Sequence, residues 1–284
     1  MSDARSLLWR PRRRGADAAD TPFRLMGDRA AAAAPEVVPA SPADDAWGRL
    51  RPLTLDPVAL DRGRVVTARR RDPAHGAFDV LRTKLLGALA EQGWRRVGVT
   101  SPTKGCGKSF LSTNLAVSLA RYRHCRTVLL DLDLRLPSVA RKLGVAQPGA
   151  ISGFLRGAVP PEAFLYRVSP GLLQIGPWLA LGLNAQTEPF ASELFFDPST
   201  GAALARMEEA LNPQVVLFDL PPVLAQDDVL AIAPHLDCVL IVAEGGRTSS
   251  RELVETSRRL GDSVPILAVV LNKAEGQDIL DYQY

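Results

Sequence analysis

The chain has 284 residues, which is enough for one large α/β domain and an additional segment. Hydrophobic residues make up 46% of the chain and aromatic residues 6%, a composition typical of an aliphatic core such as that of a buried parallel sheet. The three cysteines have no metal-ligand spacing, no apolar run reaches about 18 residues, and the N-terminus lacks the apolar core of a signal peptide, so zinc-binding, membrane-spanning and secreted classes are not expected.

Residues 1–71 differ in composition from the rest of the chain. They contain 14 arginines and 9 acidic residues, a net charge of +5, whereas residues 72–284 carry a net charge of −2. Prolines are frequent and no hydrophobic period is sustained, so we expect a largely disordered arm. Its arginines are suited to an anionic membrane surface or to nucleic acid, and a solvated linker is an equal alternative.

Strands and helices alternate over residues 72–278. The predicted elements, in chain order, are helix 74–92, strand 96–100, helix 110–120, strand 126–133, short helices at 137–143, 151–155 and 161–166, strand 172–175, a broken helix at 189–211, strands 215–219 and 238–243, helix 249–260 and strand 266–271. This order predicts an α/β protein with the three-layer P-loop NTPase fold, a doubly wound, mostly parallel sheet with helices on both faces. Residues 279–284 form a short tail. Ligands of such sheets bind beyond the carboxyl ends of the strands.

A glycine-rich loop, Ser-Pro-Thr-Lys-Gly-Cys-Gly-Lys-Ser, occupies residues 101–109 between the first of these strands and its helix. Strand, glycine-rich loop and helix are the context of a phosphate-binding loop, in which backbone amides and the helix N-terminus bind the anion. Pro102 replaces the usual first glycine, at the strand exit, where a missing N–H is tolerable. The predicted nucleotide ligands are Thr103, Lys104, Gly105, Cys106, Gly107, Lys108, Ser109 and Phe110, with Lys108 on the phosphates and Ser109 on Mg²⁺.

Three carboxylates follow apolar strands: Asp131 and Asp133 after one, and Asp219 after another. Carboxylates beside a phosphate-binding loop are suited to holding Mg²⁺ directly or through water. The alternative is that these acids cap helices or form turns.

These motifs resemble those of the bacterial tyrosine kinases of capsule and exopolysaccharide export, which belong to the wider group of septum-site and partitioning ATPases. Residues 101–109, 129–137 and 216–223 are similar to the Walker A, Walker A′ and Walker B motifs of that family. The resemblance implies that Lys108, Asp131 and Asp133 are catalytic, with Asp131 activating the attacking hydroxyl. It also implies that Mg²⁺ is held by Ser109, Asp133 and Asp219.

The tyrosines near the C-terminus are the expected phosphoacceptors. The family carries a C-terminal tyrosine cluster, which Tyr282 and Tyr284 match here, and a chance pair of tyrosines is the alternative. The family's ring-forming motif, Glu-x-x-Arg-x-x-Arg, aligns with Gly76, Asp79 and Arg82, of which only Arg82 matches. Self-association is therefore expected with an incomplete ring motif.

Three further residues are candidates for contacts in the site. Asn272, after the last strand, matches an asparagine that faces adenine in the resembling ATPases, and this favours ATP over a guanine nucleotide. Arg135 adds charge near the phosphates. Cys106 is either a thiol activated by the helix N-terminus or a small residue that fits the loop.

The resemblance implies an ATP- and Mg²⁺-dependent protein-tyrosine autokinase that regulates exopolysaccharide polymerisation and export. It implies a cytoplasmic protein bound to the inner face of the plasma membrane through a polysaccharide co-polymerase that activates it, and nucleic acid is not an expected partner. One alternative is a nucleotide-switched ATPase of the partitioning type, although Thr103 replaces that branch's signature lysine. The other is a nucleotide-binding regulatory subunit without kinase activity.

Overall fold

An eight-stranded sheet occupies the centre of the part of the chain that the computed structural model describes, residues 41–68, 72, 74–122, 124–171 and 175–274. The strands are β1 (Arg51–Leu53), β2 (Arg96–Thr100), β3 (Thr127–Asp131), β4 (Tyr166–Val168), β5 (Leu179–Gly182), β6 (Val215–Asp219), β7 (Cys238–Glu244) and β8 (Ile266–Asn272). Their order across the sheet is β1-β4-β5-β3-β6-β2-β7-β8, and only β4 and β5 pair in the antiparallel direction. The predicted α/β fold with a mostly parallel sheet is confirmed.

Helices cover both faces of this sheet. They are α1 (Pro42–Arg49), α2 (Pro57–Arg62), α3 (Ala74–Gln92), α4 (Lys108–Ala120), α5 (Val139–Lys142), α6 (Ile151–Leu155), α7 (Pro161–Phe164), α8 (Ala191–Phe196), α9 (Pro198–Leu211), α10 (Asp228–Ile232) and α11 (Ser250–Leu260). Successive side chains of a strand point to opposite faces. Val128 and Leu130 accordingly lie in a core shared with α9, and Leu129 lies in a second core shared with α4. In the described residues no helix is both long and apolar enough to cross a membrane.

The three central strands bring the predicted site residues to one edge. β3, β6 and β2 are adjacent and parallel, so their carboxyl ends meet there. Asp131 at the end of β3 lies opposite Asp219 at the end of β6, and β2 ends at Thr100, directly before the glycine-rich loop.

One predicted strand is placed differently. Three of the four residues of the predicted strand 172–175 lie outside the described residues, and Ile175 is not in a strand. The strand beside β3 is β5 instead, whose Leu-Ala-Leu-Gly sequence lacks the β-branched residues that raise strand propensity. Its Gly182 is required by close packing, because a Cβ there would lie 2.4 Å from Cδ2 of Leu130.

Residues 41–68 are folded, so the prediction of a disordered arm is wrong for this segment; residues 1–40 lie outside the described part. Trp47 of α1 is buried against α9, and Leu60 of α2 is buried in the other core. The apolar residues of this segment are spread among prolines without a regular period. Such short elements are stabilised by docking rather than by propensity, and periodicity does not detect them.

The same segment supports one wall of the site. Gly63, directly after α2, lies so close to α5 that a Cβ would be 1.9 Å from the backbone oxygen of Lys142. Similarly, a Cβ at Gly144 would be 2.4 Å from the Cβ of Ala59. Because backbone does not yield easily, these contacts fix the position of α5.

Candidate functional site

The glycine-rich loop has the backbone conformation that a phosphate-binding loop requires. Gly105 and Gly107 have φ values of 89° and 96°, in the left-handed region that favours glycine. α4 begins at Lys108, so its first amides and the positive end of its dipole face the space that the loop encloses. Pro102 accepts a hydrogen bond from the amide of Leu224 through its carbonyl, and its missing N–H leaves the loop intact.

Cys106 is a packing residue in this loop. It is 1% exposed, and its Sγ lies 3.3 Å from the carbonyl oxygen of Thr103 and 3.7 Å from Oγ1 of Thr248. Of the two interpretations from the sequence, this geometry supports a small side chain that fits the loop. Phe110, the next predicted ligand after Ser109, lines the pocket and packs edge-on against Phe78.

Lys108 and Asp133 form an ion pair on the floor of the pocket. Nζ of Lys108 donates to Oδ2 of Asp133 at 2.8 Å, and Oδ1 of Asp133 accepts from the amide of Leu136 at 3.0 Å. Burial opposes the charge of Lys108, but Asp219, Asp133 and Asp131 outweigh it and raise the pKa of the lysine. The raised pKa keeps Lys108 charged at neutral pH, and its one hydrogen-bond partner, Asp133, is a group that an incoming phosphate can replace.

Behind this pair lie two carboxylates with unused oxygens. Asp131 and Asp219 are fully buried; Oδ2 of Asp131 accepts from the amides of Ser138 and Val139, and Oδ1 of Asp219 accepts from the hydroxyl of Ser112. Oδ1 of Asp131 and Oδ2 of Asp219 have no hydrogen-bond partner. Asp131 thus caps α5, the alternative that the sequence left open, and still keeps one oxygen for another ligand.

Burial is the main cause of the pKa shifts of these two acids. It raises the pKa of Asp131 well above its usual value, and the negative charge of Asp219 adds to this. Burial also raises the pKa of Asp219, although Lys108 and the hydroxyl of Ser109 oppose the shift. Two buried, mutually repelling carboxylates with free oxygens form a donor set that fits a hard divalent cation.

A metal cage made only of protein side chains is absent from the described ranges, where no group of three or more His, Cys, Asp or Glu converges as metal ligands. Mg²⁺ at nucleotide sites does not need such a group, because it keeps several waters and is bound by one or two protein oxygens and the phosphates.

The pocket in front of the loop has a volume of about 390 Å³ and a largely basic rim. Its lining includes residues outside the motifs; they are Ser138, Arg141, Lys142, Gln226 and Asp228. Arg135 forms a two-bond ion pair with the buried Asp228, with both N–O distances 3.0 Å. That pairing fixes Arg135 on the pocket wall, and Lys104 lies exposed on the rim.

The end of β8 contacts the opposite side of the loop. Nδ2 of Asn272 donates to the carbonyl of Cys106 at 2.8 Å, and Nζ of Lys273 donates to the carbonyl of Gly105 at 2.8 Å. Lys273 also pairs with Glu244 at the end of β7. Asn272 is thus beside the nucleotide loop, and its contact with adenine stays a prediction.

The structure brings together all the predicted site residues that it describes; the predicted phosphoacceptors Tyr282 and Tyr284 lie outside the described residues. Of the ring-motif positions, Arg82 is engaged within the chain. Its Nη1 donates to Asp79 at 2.7 Å and to the hydroxyl of Ser118 at 3.2 Å.

Replacing Asp131 by asparagine is expected to raise the free energy of unfolding at pH 7 by about 1–3 kcal/mol, because it removes a buried charge with an unpaired oxygen. An acid whose folded-state pKa exceeds its unfolded value destabilises the fold as pH rises between the two values. The gain is therefore expected to shrink as pH falls toward the unfolded pKa of about 4. Urea unfolding without nucleotide or Mg²⁺, across this pH range, measures it.

The matched control is Asp262→Asn, since Asp262 is exposed and this change is expected to alter stability by less than about 0.5 kcal/mol. A loss of stability in Asp131→Asn at pH 7 would contradict the assignment of a destabilising charge to Asp131.

Comparison with known proteins identifies the family. Residues 97–283 match the model of the CobQ/CobB/MinD/ParA nucleotide binding domain. The protein named "Putative tyrosine-protein kinase EpsB" of Ralstonia solanacearum is 34% identical over 220 residues, covering 74% of this chain and 27% of the relative. The chain thus spans about a quarter of the length of the curated relatives that it matches.

Solved kinase domains have the same fold. The BceF tyrosine kinase domain superposes with a TM-score of 0.62 at 26% identity, covering 82% of this chain and 86% of that one. The kinase domain of Escherichia coli tyrosine kinase ETK gives a TM-score of 0.66 at 23% identity, over 78% and 84% of the two chains. The family resemblance predicted from the motifs is confirmed: the chain belongs to the CobQ/CobB/MinD/ParA nucleotide-binding domain family, and its relatives include bacterial tyrosine-protein kinases.

Proposed function

We propose that this chain is a Mg²⁺·ATP-dependent protein-tyrosine kinase that phosphorylates Tyr282 and Tyr284 of its own sequence. The observation that carries the proposal is the Lys108–Asp133 pair at the floor of the pocket, in front of two carboxylates with unused oxygens. Phosphoryl transfer depends mainly on positioning and on charge neutralisation, and this arrangement supplies both. Relatives named as tyrosine-protein kinases support it.

ATP binding exchanges the partner of Lys108. The loop amides and the N-terminus of α4 receive the phosphates, and Nζ of Lys108 moves from Asp133 to the β- and γ-phosphates. Asp133 then loses the cation that neutralised it, while it remains on the pocket floor.

Asp133 is the acid that an acceptor hydroxyl reaches in this arrangement. Both acids are buried, but Asp133 lines the pocket and Asp131 does not. In the proposed step the tyrosine oxygen attacks the γ-phosphorus, the bond from that phosphorus to the β–γ bridging oxygen breaks, ADP leaves, and Oδ2 of Asp133 receives the hydroxyl proton. This assigns to Asp133 the role that the family resemblance gives to Asp131.

Ser109 and the unused oxygens of Asp219 and Asp131 would hold Mg²⁺, directly or through water. When bound, the ion neutralises charge on the phosphates. The hydroxyl of Ser112 fixes the orientation of the Asp219 carboxylate, and the amides of Ser138 and Val139 fix that of Asp131.

We further propose that the kinase acts in exopolysaccharide or capsule export, at the inner face of the plasma membrane, with a membrane co-polymerase as its activator. The relative named "Succinoglycan biosynthesis transport protein ExoP" of Rhizobium meliloti, 30% identical over 198 residues, supports this setting. A contact of the arginine-rich residues 1–40 with anionic lipid remains part of the proposal.

The test is the intact mass of the full chain before and after incubation with Mg²⁺ and ATP, beside a Tyr282→Phe/Tyr284→Phe variant. We expect added phosphoryl mass on the wild-type chain, mapped to the two tyrosines, and none on the variant. ATP hydrolysis without added mass on either would contradict the kinase and favour the nucleotide-switched ATPase. Nucleotide binding without hydrolysis or added mass would favour the regulatory subunit.

A further inference from the structure

In the part of the chain that the structure describes, two cations without ion-pair partners, Arg141 and Lys142, line one wall of the pocket. Arg141 and Lys142, at the end of α5, line it together with Leu136, whose side chain is 62% exposed. Within the described residues no side chain forms a hydrogen bond or ion pair with Arg141 or Lys142, in contrast to Arg135, which is fully paired. Leu136, Arg141 and Lys142 together form a surface that we name the acceptor rim.

The charges of the rim repel one another. Burial lowers the pKa of Lys142, and the neighbouring charges of Arg141 and Arg64 lower it further, against the attraction of Asp219. The backbone of α5 lies close against the residue after α2, since a Cβ at Gly63 would be 1.9 Å from the backbone oxygen of Lys142, so both cations project from a closely packed stretch of backbone. Neighbouring like charges without a direct ion-pair partner favour an anionic ligand.

Two anionic ligands could bind near these cations, the nucleotide phosphates and an acidic acceptor segment, and they would bind in different parts of the pocket. The nucleotide phosphates have the loop amides and Lys108 as their binding groups, on the wall formed by α4. The rim lies on the segment that follows Asp133, beside the acid proposed to receive the acceptor's proton. Its charges and its exposed leucine therefore belong to a different part of the pocket lining from the groups that bind the phosphates.

The C-terminal sequence of this chain has the matching chemistry. Residues 275–284 contain three acids, Glu275, Asp278 and Asp281, and no basic residue. Ile279 and Leu280 precede Asp281 and Tyr282 directly, so an aliphatic pair and a carboxylate stand beside the phosphoacceptor.

The segment is also long enough to reach the rim. The described chain ends at Ala274, next to Lys273, whose Nζ is 2.8 Å from the carbonyl of the pocket residue Gly105. Tyr282 follows Ala274 by eight residues, which span up to about 26–29 Å when extended. This length is sufficient for the segment of one chain, or of a second copy, to enter the pocket.

We infer that the acceptor rim selects acidic, aliphatic tyrosine segments, with Arg141 and Lys142 binding the carboxylates next to the phosphoacceptor and Leu136 contacting its apolar neighbours; the occupant is residues 278–284 of this chain. The inference rests on the proposed kinase function and adds its substrate class. Arg141 and Lys142 act as specificity-determining residues, without a part in bond making.

The test is steady-state phosphorylation of two peptides by the full chain: one with the sequence of residues 275–284, and one with its three acids replaced by their amides. For Arg141→Gln/Lys142→Gln we expect KM for the acidic peptide to rise about tenfold, as two solvent-accessible charge contacts would give. We expect kcat for that peptide and KM for the amide peptide to change less than about twofold, since neither depends on these charges. The charge-matched control Lys84→Gln/Arg251→Gln changes exposed residues of α3 and α11 and is expected to match the wild type.

The outcomes separate the two proposals. Equal KM changes for both peptides, or no change for either, overturn the acceptor rim and leave the kinase standing. Phosphate transfer by the wild-type chain to neither peptide, with no phosphate on its own tyrosines, overturns the kinase and the rim together.

A dilution series of the full chain distinguishes the two sources of the segment. A rate of self-phosphorylation per chain that is independent of concentration indicates the chain's own segment, and a rate that rises with concentration indicates a second copy. In both cases we expect Arg141→Gln/Lys142→Gln to slow the reaction severalfold below saturation. An unchanged rate overturns the proposal.

Discussion

Lys108→Met is expected to reduce phosphate transfer from ATP by at least about a thousandfold, the largest effect expected of any single change in this chain. Methionine has nearly the length of lysine and keeps the contacts of the buried stem, so the change removes the charge with little loss of packing. Without the ammonium group, the γ-phosphate lacks its nearest cation, and Oδ2 of Asp133 loses its 2.8 Å partner. Phosphotyrosine formed over time, with intact mass as the readout, measures the loss.

Lys84→Met is the matched control for Lys108→Met, because Lys84 is an exposed lysine of α3, away from the pocket lining. Phosphate transfer by Lys108→Met at a tenth or more of the wild-type rate would contradict the central place of this lysine. The Lys108–Asp133 pair would then no longer support the proposed function.

The catalytic side of the site could be predicted because each part has a local sequence signal. The glycines of residues 101–109, together with the strand and helix on either side, predict a phosphate-binding loop. Asp131, Asp133 and Asp219 stand at the ends of apolar strands, and parallel strands deliver their carboxyl ends to one edge. Motifs give neither strand order nor side-chain partners, so the sequence could not decide whether Asp131 caps a helix, as it does on α5.

The acceptor side of the site has no such signal. Arg141 and Lys142 are two ordinary basic residues on a helix of four residues, which is held against the pocket by the Asp131 cap, by core packing and by the close approach of Gly63. Asp228 reads as a surface acid in the sequence, but it is fully buried and anchors Arg135. Contacts between segments far apart in the chain decide these positions, and periodicity and motifs carry no information about them.

The fold of the N-terminal segment also depends on contacts that periodicity and motifs do not detect. Its many prolines and arginines are typical of a disordered arm. Composition is averaged over residues 1–71, so it does not distinguish the folded residues 41–68 from those before them. Ser41 begins α1 with a capping box, in which its hydroxyl accepts from the amide of Asp44 and the Asp44 carboxylate accepts from the amide of Ser41. A capped helix of eight residues is too short to be stable alone, so its order depends on the side chain that it docks.

That side chain is Trp47, and Trp47→Ala is expected to lower the free energy of unfolding by about 3–5 kcal/mol. The indole is completely buried, its Nε1 donates to the carbonyl of Leu211 at 2.8 Å, and its ring meets Trp178 edge-on at 5.7 Å between centroids. Trp47→Phe keeps most of the apolar contact but leaves the Leu211 carbonyl unpaired, so we expect a smaller loss of about 1–3 kcal/mol.

Urea unfolding at pH 7 measures both Trp47 variants, with Val58→Ala as the control, because Val58 in α2 is 54% exposed and its truncation is expected to cost less than about 0.5 kcal/mol. An undocked arm would give Trp47→Ala the same midpoint as the control, and the assignment of residues 41–50 to the folded body would then be wrong. A graded loss, alanine greater than phenylalanine, would establish that the chain before the first predicted helix belongs to the core.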